Sequence, residues 1–196
     1  MIKVDKASLE ILFTKARSNN GWLEGTVSDD ELREAHDIAK WGPTSMNTQP
    51  MRILFLRSLE AKERLKPALS PTNVQKVMTA PVVAVIAYDV EFYLQLPKTF
   101  PHNPNAPGLF AGNAALSEQT AFRNSTLQGA YFMMALRAVG LDVGPMSGFD
   151  AAKVNVEFFG DSKWRANFIC GIGEGDPSKI FDRLPRLDFD EITRTI

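Results

Sequence analysis

The chain has 196 residues, 44% of them hydrophobic, with a formal net charge of -1. That length supports one sizeable core, and a single domain over residues 1–196 is expected. The near-neutral charge leaves no basic face to recruit nucleic acid or an anionic membrane, so neither is expected as a partner. Residues 1–10 alternate Lys, Asp and Glu with apolar residues, and no later run has transmembrane length, so a cytoplasmic protein is expected. Cys170 is the one cysteine and sits in an apolar run, which reads as core. With only His36 and His102 beside it there is no metal-ligand spacing, and no metal is expected.

In chain order, Leu9 to Arg17 carries apolar residues at helical spacing and is stopped by Arg17-Ser18-Asn19-Asn20-Gly21. Ser28 with Glu31 has the form of a capping box, and Leu32, Ala35, Ile38 and Ala39 continue a helix to Lys40. A ten-residue loop with two prolines follows, Trp41 to Pro50. Met51 to Arg57 reads as a strand, Leu59 to Leu69 as a short helix, and Thr72 to Thr79 as an amphipathic helix that brings Asn73 and Lys76 close together. Pro81 to Tyr88 is continuously apolar and rich in β-branched residues, as a central strand covered on both faces should be. Asp89 to Leu96 suggests a short helix, and Pro97 to Gly112, with four prolines and two glycines, a loop or lid.

Leu127 to Val139 is apolar on nearly every face, which predicts a helix buried all round. Its ends are polar, with Asn124, Ser125 and Gln128 at its start and a Gly/Pro loop, Gly-Pro-Met-Ser-Gly, after the stop at Gly140. Asp150 can cap a helix reaching Phe159, and Trp164 to Gly171 reads as another strand. Gly171-Ile172-Gly173-Glu174-Gly175-Asp176 resembles a dinucleotide loop only superficially, since Asp176 stands where the third glycine is required and no helix follows Pro177.

No nucleophile elbow, paired carboxylates, Walker loop or zinc pattern is present. There are instead separated groups of hydroxyls, amides and single cations at the ends of apolar elements: Arg17-Ser18, Thr44-Ser45-Asn47, Asn73 with Lys76, Asn124, and Ser147-Gly148. A cofactor with a heteroaromatic ring, a polyol and a phosphate needs that mixture, whereas a simple hydrolase does not.

The same groups, in this order, resemble the flavin-dependent nitroreductase family over almost the whole chain. Arg17-Ser18-x-Asn20-x-Trp22 is similar to its N-terminal phosphate motif, and Pro43-Thr44-Ser45-x-Asn47-x-Gln49-Pro50 to its P-S-S-x-N-x-Q-P loop. Gly140 to Asp150 resembles G-L-x-x-x-P-x-x-G-F-D, and Arg183-x-Pro185 the C-terminal phosphate-binding arginine. The wording W-G-P-T-S-x-N, F-Y-x-x-L-P-x-x-F-P-H and A-F-R-N-S-x-x-Q is most similar to the RutE/HadB subgroup, which includes a malonic semialdehyde reductase of pyrimidine degradation. The resemblance implies an α+β fold with a central, mostly antiparallel sheet flanked by helices, a homodimer, FMN as cofactor and NADH or NADPH as co-substrate. It assigns Arg17, Ser18 and Arg183 to the cofactor phosphate, and Asn20, Asn47, Asn73, Lys76 and Asn124 to the flavin or ribityl. The loop Pro43 to Asn47, with Pro43, Thr44, Ser45 and Asn47, would come from the opposite subunit, and Pro145, Met146, Ser147 and Gly148 would line the ring. Asn20 stands where many members have a cation; it can hydrogen-bond there but carries no charge, so stabilising the reduced ring would fall mainly on Lys76. No side chain is required as nucleophile. For a substrate carboxylate the candidate cations are Arg123, Arg52 and His102. A broad nitro- or quinone-reducing enzyme and a flavin-binding protein without turnover remain alternatives.

Overall fold

The computed structural model describes residues 1–196. Four strands, β1 (Met51–Leu56), β2 (Val82–Asp89), β3 (Asp142–Met146) and β4 (Trp164–Gly173), form one antiparallel sheet in the order β1-β2-β4-β3. Strands β2 and β4 are interior, and all of β2 but Asp89 is buried. Its successive side chains enter different layers. Val83, Val85 and Ala87 join one apolar cluster, and Val82, Ala84 and Ile86 the other, as the two-residue period of a strand covered on both faces demands.

The first layer contains α3 (Leu59–Leu65), α4 (Pro71–Thr79) and α8 (Ala151–Phe159), which contribute Leu65, Val77 and Val154. The second contains α2 (Asp29–Ala39) and the 25-residue α7 (Ala114–Ala138), which contribute Leu32, Ala35, Phe132 and Leu136. Ser28 and Glu31 cap α2 reciprocally, and Asp150 caps α8 through the Lys153 amide, both as expected. Cys170 is buried in the second layer, where desolvation pushes its thiol up to about 12.

Four expectations need correction. Pro97 to Gly112 is not an open loop: it holds α5 (Leu96–Thr99) and α6 (Ala106–Ala111), and Leu96, Ala106 and Phe110 pack with Tyr88, Phe92 and Ala121 as a third cluster. Pro97 and Pro107 occupy the first turns of these helices, where a missing N–H costs nothing. The segment after Gly140 is not a loop throughout, since residues 142–146 form the edge strand β3, where Pro145 is tolerated. At the amino end, helix covers residues 6–14, as α1 (Lys6–Leu9) and a π-helical turn, and stops short of Arg17.

The long helix begins earlier than its apolar run, at the cap Asn113, and one face of it is open. Leu127 is 43% exposed and Phe122 50%, while Asn124, Ser125 and Gln128 are buried on the opposite face. No helix is long and apolar enough to cross a membrane.

Candidate functional site

The expected site residues fall into two groups, at opposite edges of the sheet. The first follows β3. Ser18 bridges to Val143, the Asn19 amide donates to the Val143 carbonyl at 3.1 Å, and Trp22 bridges to Gly175. Trp22 lies over Gly171, where a Cβ would come within 2.5 Å of the indole, and its Nε1 donates to the Lys76 carbonyl at 2.9 Å. Glycine is needed there so that a large ring can approach the strand backbone. The Trp22 bond joins the amino-terminal segment to α4, and α4 carries Asn73 and Lys76. Asn73 Nδ2 in turn donates to the Gly148 carbonyl at 3.0 Å. Thus Arg17, Ser18, Asn20, Asn73, Lys76 and Pro145 to Gly148 are brought along one edge, although they are scattered in sequence. The Lys76 ammonium forms no ion pair.

At one end of this edge is a cavity of about 550 Å³ containing Arg17, Ser18, Asn20 and Arg183, together with Arg137 and Arg186. Arg17 donates to the Phe181 carbonyl, and Arg183 to that of Ala16 at 3.2 Å. Arg186 reaches the carbonyls of Leu184 and Pro185, and Arg137 that of Leu12 at 2.9 Å. All four guanidinium groups are held by neutral carbonyl oxygens and none by a carboxylate, with Asp182 the one acid in the lining. Such a cluster has positive charge in excess and suits a phosphate dianion, which arginine binds bidentately. Sequence reading missed Arg137 and Arg186. Arg137 had a signal, a lone cation inside the apolar helix; burial lowers its pKa, and its placement at the cavity gives that burial a use.

The second group is at the β1 edge. Pro43, Thr44, Ser45 and Asn47 lie in the turn before β1, where Met46, Asn47 and Gln49 all have positive φ. Non-glycine residues in this region are strained and must be held by their surroundings. Asn124, only 3% exposed, accepts from the Ser45 amide at 2.8 Å. Gln128 accepts from the Met51 amide at 2.9 Å, and the Tyr131 hydroxyl donates to the Pro43 carbonyl at 3.2 Å. Asn47 Nδ2 donates to the Thr99 carbonyl at 2.7 Å. Three inter-strand steps separate this edge from β3, a distance of ~14 Å, so one chain does not unite the two groups.

The candidate carboxylate cations are dispersed. Arg52 pairs with Asp89 at 2.8 Å and also donates to the carbonyls of Gln49 and Met51. His102 lies against Phe100, and Arg123 is exposed on α7 without an ion pair.

The nitroreductase family model matches residues 23–174. A Ralstonia pickettii protein, HadB, named as an NADH dehydrogenase/NAD(P)H nitroreductase, is 57% identical over 186 residues, 94% of this chain and 95% of that protein. Among solved structures, a nitroreductase from Exiguobacterium sibiricum in complex with FMN superposes with a TM-score of 0.83 at 22% identity over the whole of both chains. The nitroreductase ydfN of Bacillus subtilis gives 0.83 at 22% identity over 98% of this chain and 100% of its own. At such identities the two structures bear on the fold, which they share with this sheet and its flanking helices.

Proposed function

The chain belongs to the nitroreductase family, and from that premise we propose that it is an FMN-dependent NAD(P)H oxidoreductase of the cytoplasm that reduces malonic semialdehyde to 3-hydroxypropanoate. The observation that carries the cofactor reading is the cavity ringed by Arg17, Arg137, Arg183 and Arg186, four cations with no carboxylate partners. Those residues, with Ser18, fit the FMN phosphate, and Asn20, Asn73, Lys76 and residues 145–148 are available along the same edge for its polyol and ring.

When bound, FMN would take hydride from NAD(P)H and pass it to the substrate carbonyl. The chain's part is to position, screen and tune. Arg17 and Arg183 anchor one end of the cofactor, and Trp22 keeps α4 against β3 so that Asn73 and Lys76 stay in register with Gly148. Lys76 supplies positive charge beside the ring, where reduction adds electron density. No residue forms a covalent bond.

The site is shared between two copies of the chain, with Pro43, Thr44, Ser45 and Asn47 delivered across a homodimer. Three features support this. The two residue groups stand at opposite sheet edges, and α7 leaves Leu127 and Phe122 exposed. Phe181, Leu184, Leu187, Phe189 and Ile192 of the carboxy-terminal segment are exposed as well, a quantity of apolar surface that a partner would cover.

The acid substrate rests on the subgroup wording around Trp41 to Asn47, Phe92 to His102 and Ala121 to Gln128; the name of the 57% identical HadB speaks for NAD(P)H-dependent reduction and not for a particular acid. For its carboxylate, Arg123, Arg52 and His102 are the sequence-level candidates. The test is a screen of malonic semialdehyde, uncharged aldehydes, quinones and nitroaromatics by kcat/KM, after identification of the released flavin. Malonic semialdehyde should lead; a quinone or nitroaromatic ahead of it replaces the substrate, and flavin that NAD(P)H does not bleach replaces the enzyme with a binding protein.

A further inference from the structure

Next to the Pro43 to Asn47 turn is a second cavity, of about 450 Å³, with no hydrophobic residue in its lining. One wall is the turn itself, with Thr48, Gln49 and Arg52, and the other is the α5 segment, with Gln95, Lys98 and Thr99. The bond from Asn47 Nδ2 to the Thr99 carbonyl ties the two walls together at 2.7 Å. A hollow with only polar walls gives an apolar ligand little reason to enter and favours a charged one.

Its two cations are in different states. The Arg52 charge is matched by Asp89, and its guanidinium also holds the Gln49 and Met51 carbonyls, steadying a turn with positive φ at Gln49. Lys98 makes no ion pair and no hydrogen bond, so the lining carries one unmatched positive charge. Thr48 is 1% exposed, so its hydroxyl, the one buried side-chain polar atom in the molecule without a hydrogen-bond partner, is closed off from the hollow. The Gln95 side-chain amide is also free.

We propose that this cavity is the subsite for the carboxylate of a short acid substrate, with Lys98 as its counter-ion and Gln95 as a hydrogen-bonding group. The inference rests on the reading of the substrate as an oxo acid. A monoanion matches the single unmatched charge, whereas the pyrophosphate of a nicotinamide dinucleotide carries two. Arg52 then acts as a positioning residue, spent on Asp89 and the turn. In malonic semialdehyde one methylene separates carboxylate from aldehyde, so an acid group held here would leave the carbonyl beside the turn that carries Asn47.

The test uses the FMN-loaded protein with 3-hydroxypropanoate and 1-propanol as probes, both followed by calorimetry, with KM for NADH and NADPH measured alongside. The wild type should bind the acid more tightly than the alcohol. In Lys98→Met that preference should fall by about tenfold or more, the effect of losing a charge-assisted hydrogen bond, and Lys98→Arg should restore most of it. If the wild type prefers the acid and Lys98→Met does so equally, the subsite is wrong and the oxo-acid reading survives. If the wild type binds both probes alike, the oxo-acid reading falls and the subsite with it. A raised KM for NADPH or NADH with an unchanged preference for the acid would assign Lys98 to the coenzyme and overturn the proposal.

Discussion

The two edges of the sheet solve the same problem, holding polar groups in place, by different means. At β3 the backbone is relaxed and the groups are fixed by packing: Trp22 against Gly171, the Asn19 amide on Val143, the Asn73 amide on Gly148. At β1 the backbone itself is strained, with positive φ at Met46, Asn47 and Gln49, and a ring of side chains over-determines it: Asn124, Gln128, Tyr131 and Arg52. A relaxed edge can lose one contact and keep its shape. A strained turn stores free energy that its supports must hold in place, so the β1 edge should be the more sensitive in shape to the loss of a support.

The largest expected effect is on both edges at once. Leu127→Glu places a charge on the open face of α7, and in the proposed shared-site dimer an unpaired buried charge would cost about 3–5 kcal/mol. Light scattering should show a monomer, and the same sample should have lost its flavin colour; a folded monomer that keeps stoichiometric FMN would separate the site from the dimer.

Arg17→Ala acts on the β3 edge alone. Loss of a charge-assisted contact of about 1.5–3 kcal/mol should raise the Kd for FMN roughly 10- to 100-fold with the dimer intact. Fluorescence titration reads this directly, and an unchanged Kd would move the phosphate out of the four-arginine cavity. Lys76→Met should leave FMN bound but lower its midpoint potential, because the added negative charge loses its counter-charge. Potentiometry on both proteins tests it, and equal potentials would give Lys76 some other part.

The smallest effect belongs to the β1 turn. Asn124→Ala removes the acceptor of the Ser45 amide and should cost about 1–3 kcal/mol of stability. Urea unfolding measures this, and hydrogen exchange should show the change concentrated at residues 43–50; an even loss of protection over the sheet would mean that Asn124 supports the core and not the turn.

Much of this fold is legible in the sequence. The capping residues Ser28 and Asp150, the doubly covered β2 and the buried Cys170 follow from local chemistry, and the structure reproduces them. The features that escape a sequence reading are those in which local signals oppose tertiary ones. Pro145 argues against a strand, but an edge position removes the objection. Pro97 and Pro107 argue for a loop, but proline at a helix start is compatible with the fold. Asn113 is a readable cap, outweighed by the apolar run that begins at Leu127. The division of the polar groups between two edges is not readable at all, because strand order, unlike strand identity, is a long-range property. Arg137 is noticeable as a charge inside an apolar helix, although its neighbours Arg17 and Arg183 come together only in the folded chain.

The placement of Trp22 also bears on the order of folding. Its contacts on Gly171 and Gly144, and the bridge to Gly175, join parts of the chain more than a hundred residues apart, and closing so long a loop is unfavourable until β3 and β4 have paired. The segment with Arg17 and Ser18 should therefore dock late, as a latch on a sheet already formed. A chain still being synthesised would lack the four-arginine cavity until Arg186 had emerged, so on the proposed reading cofactor capture would follow the docking of this segment.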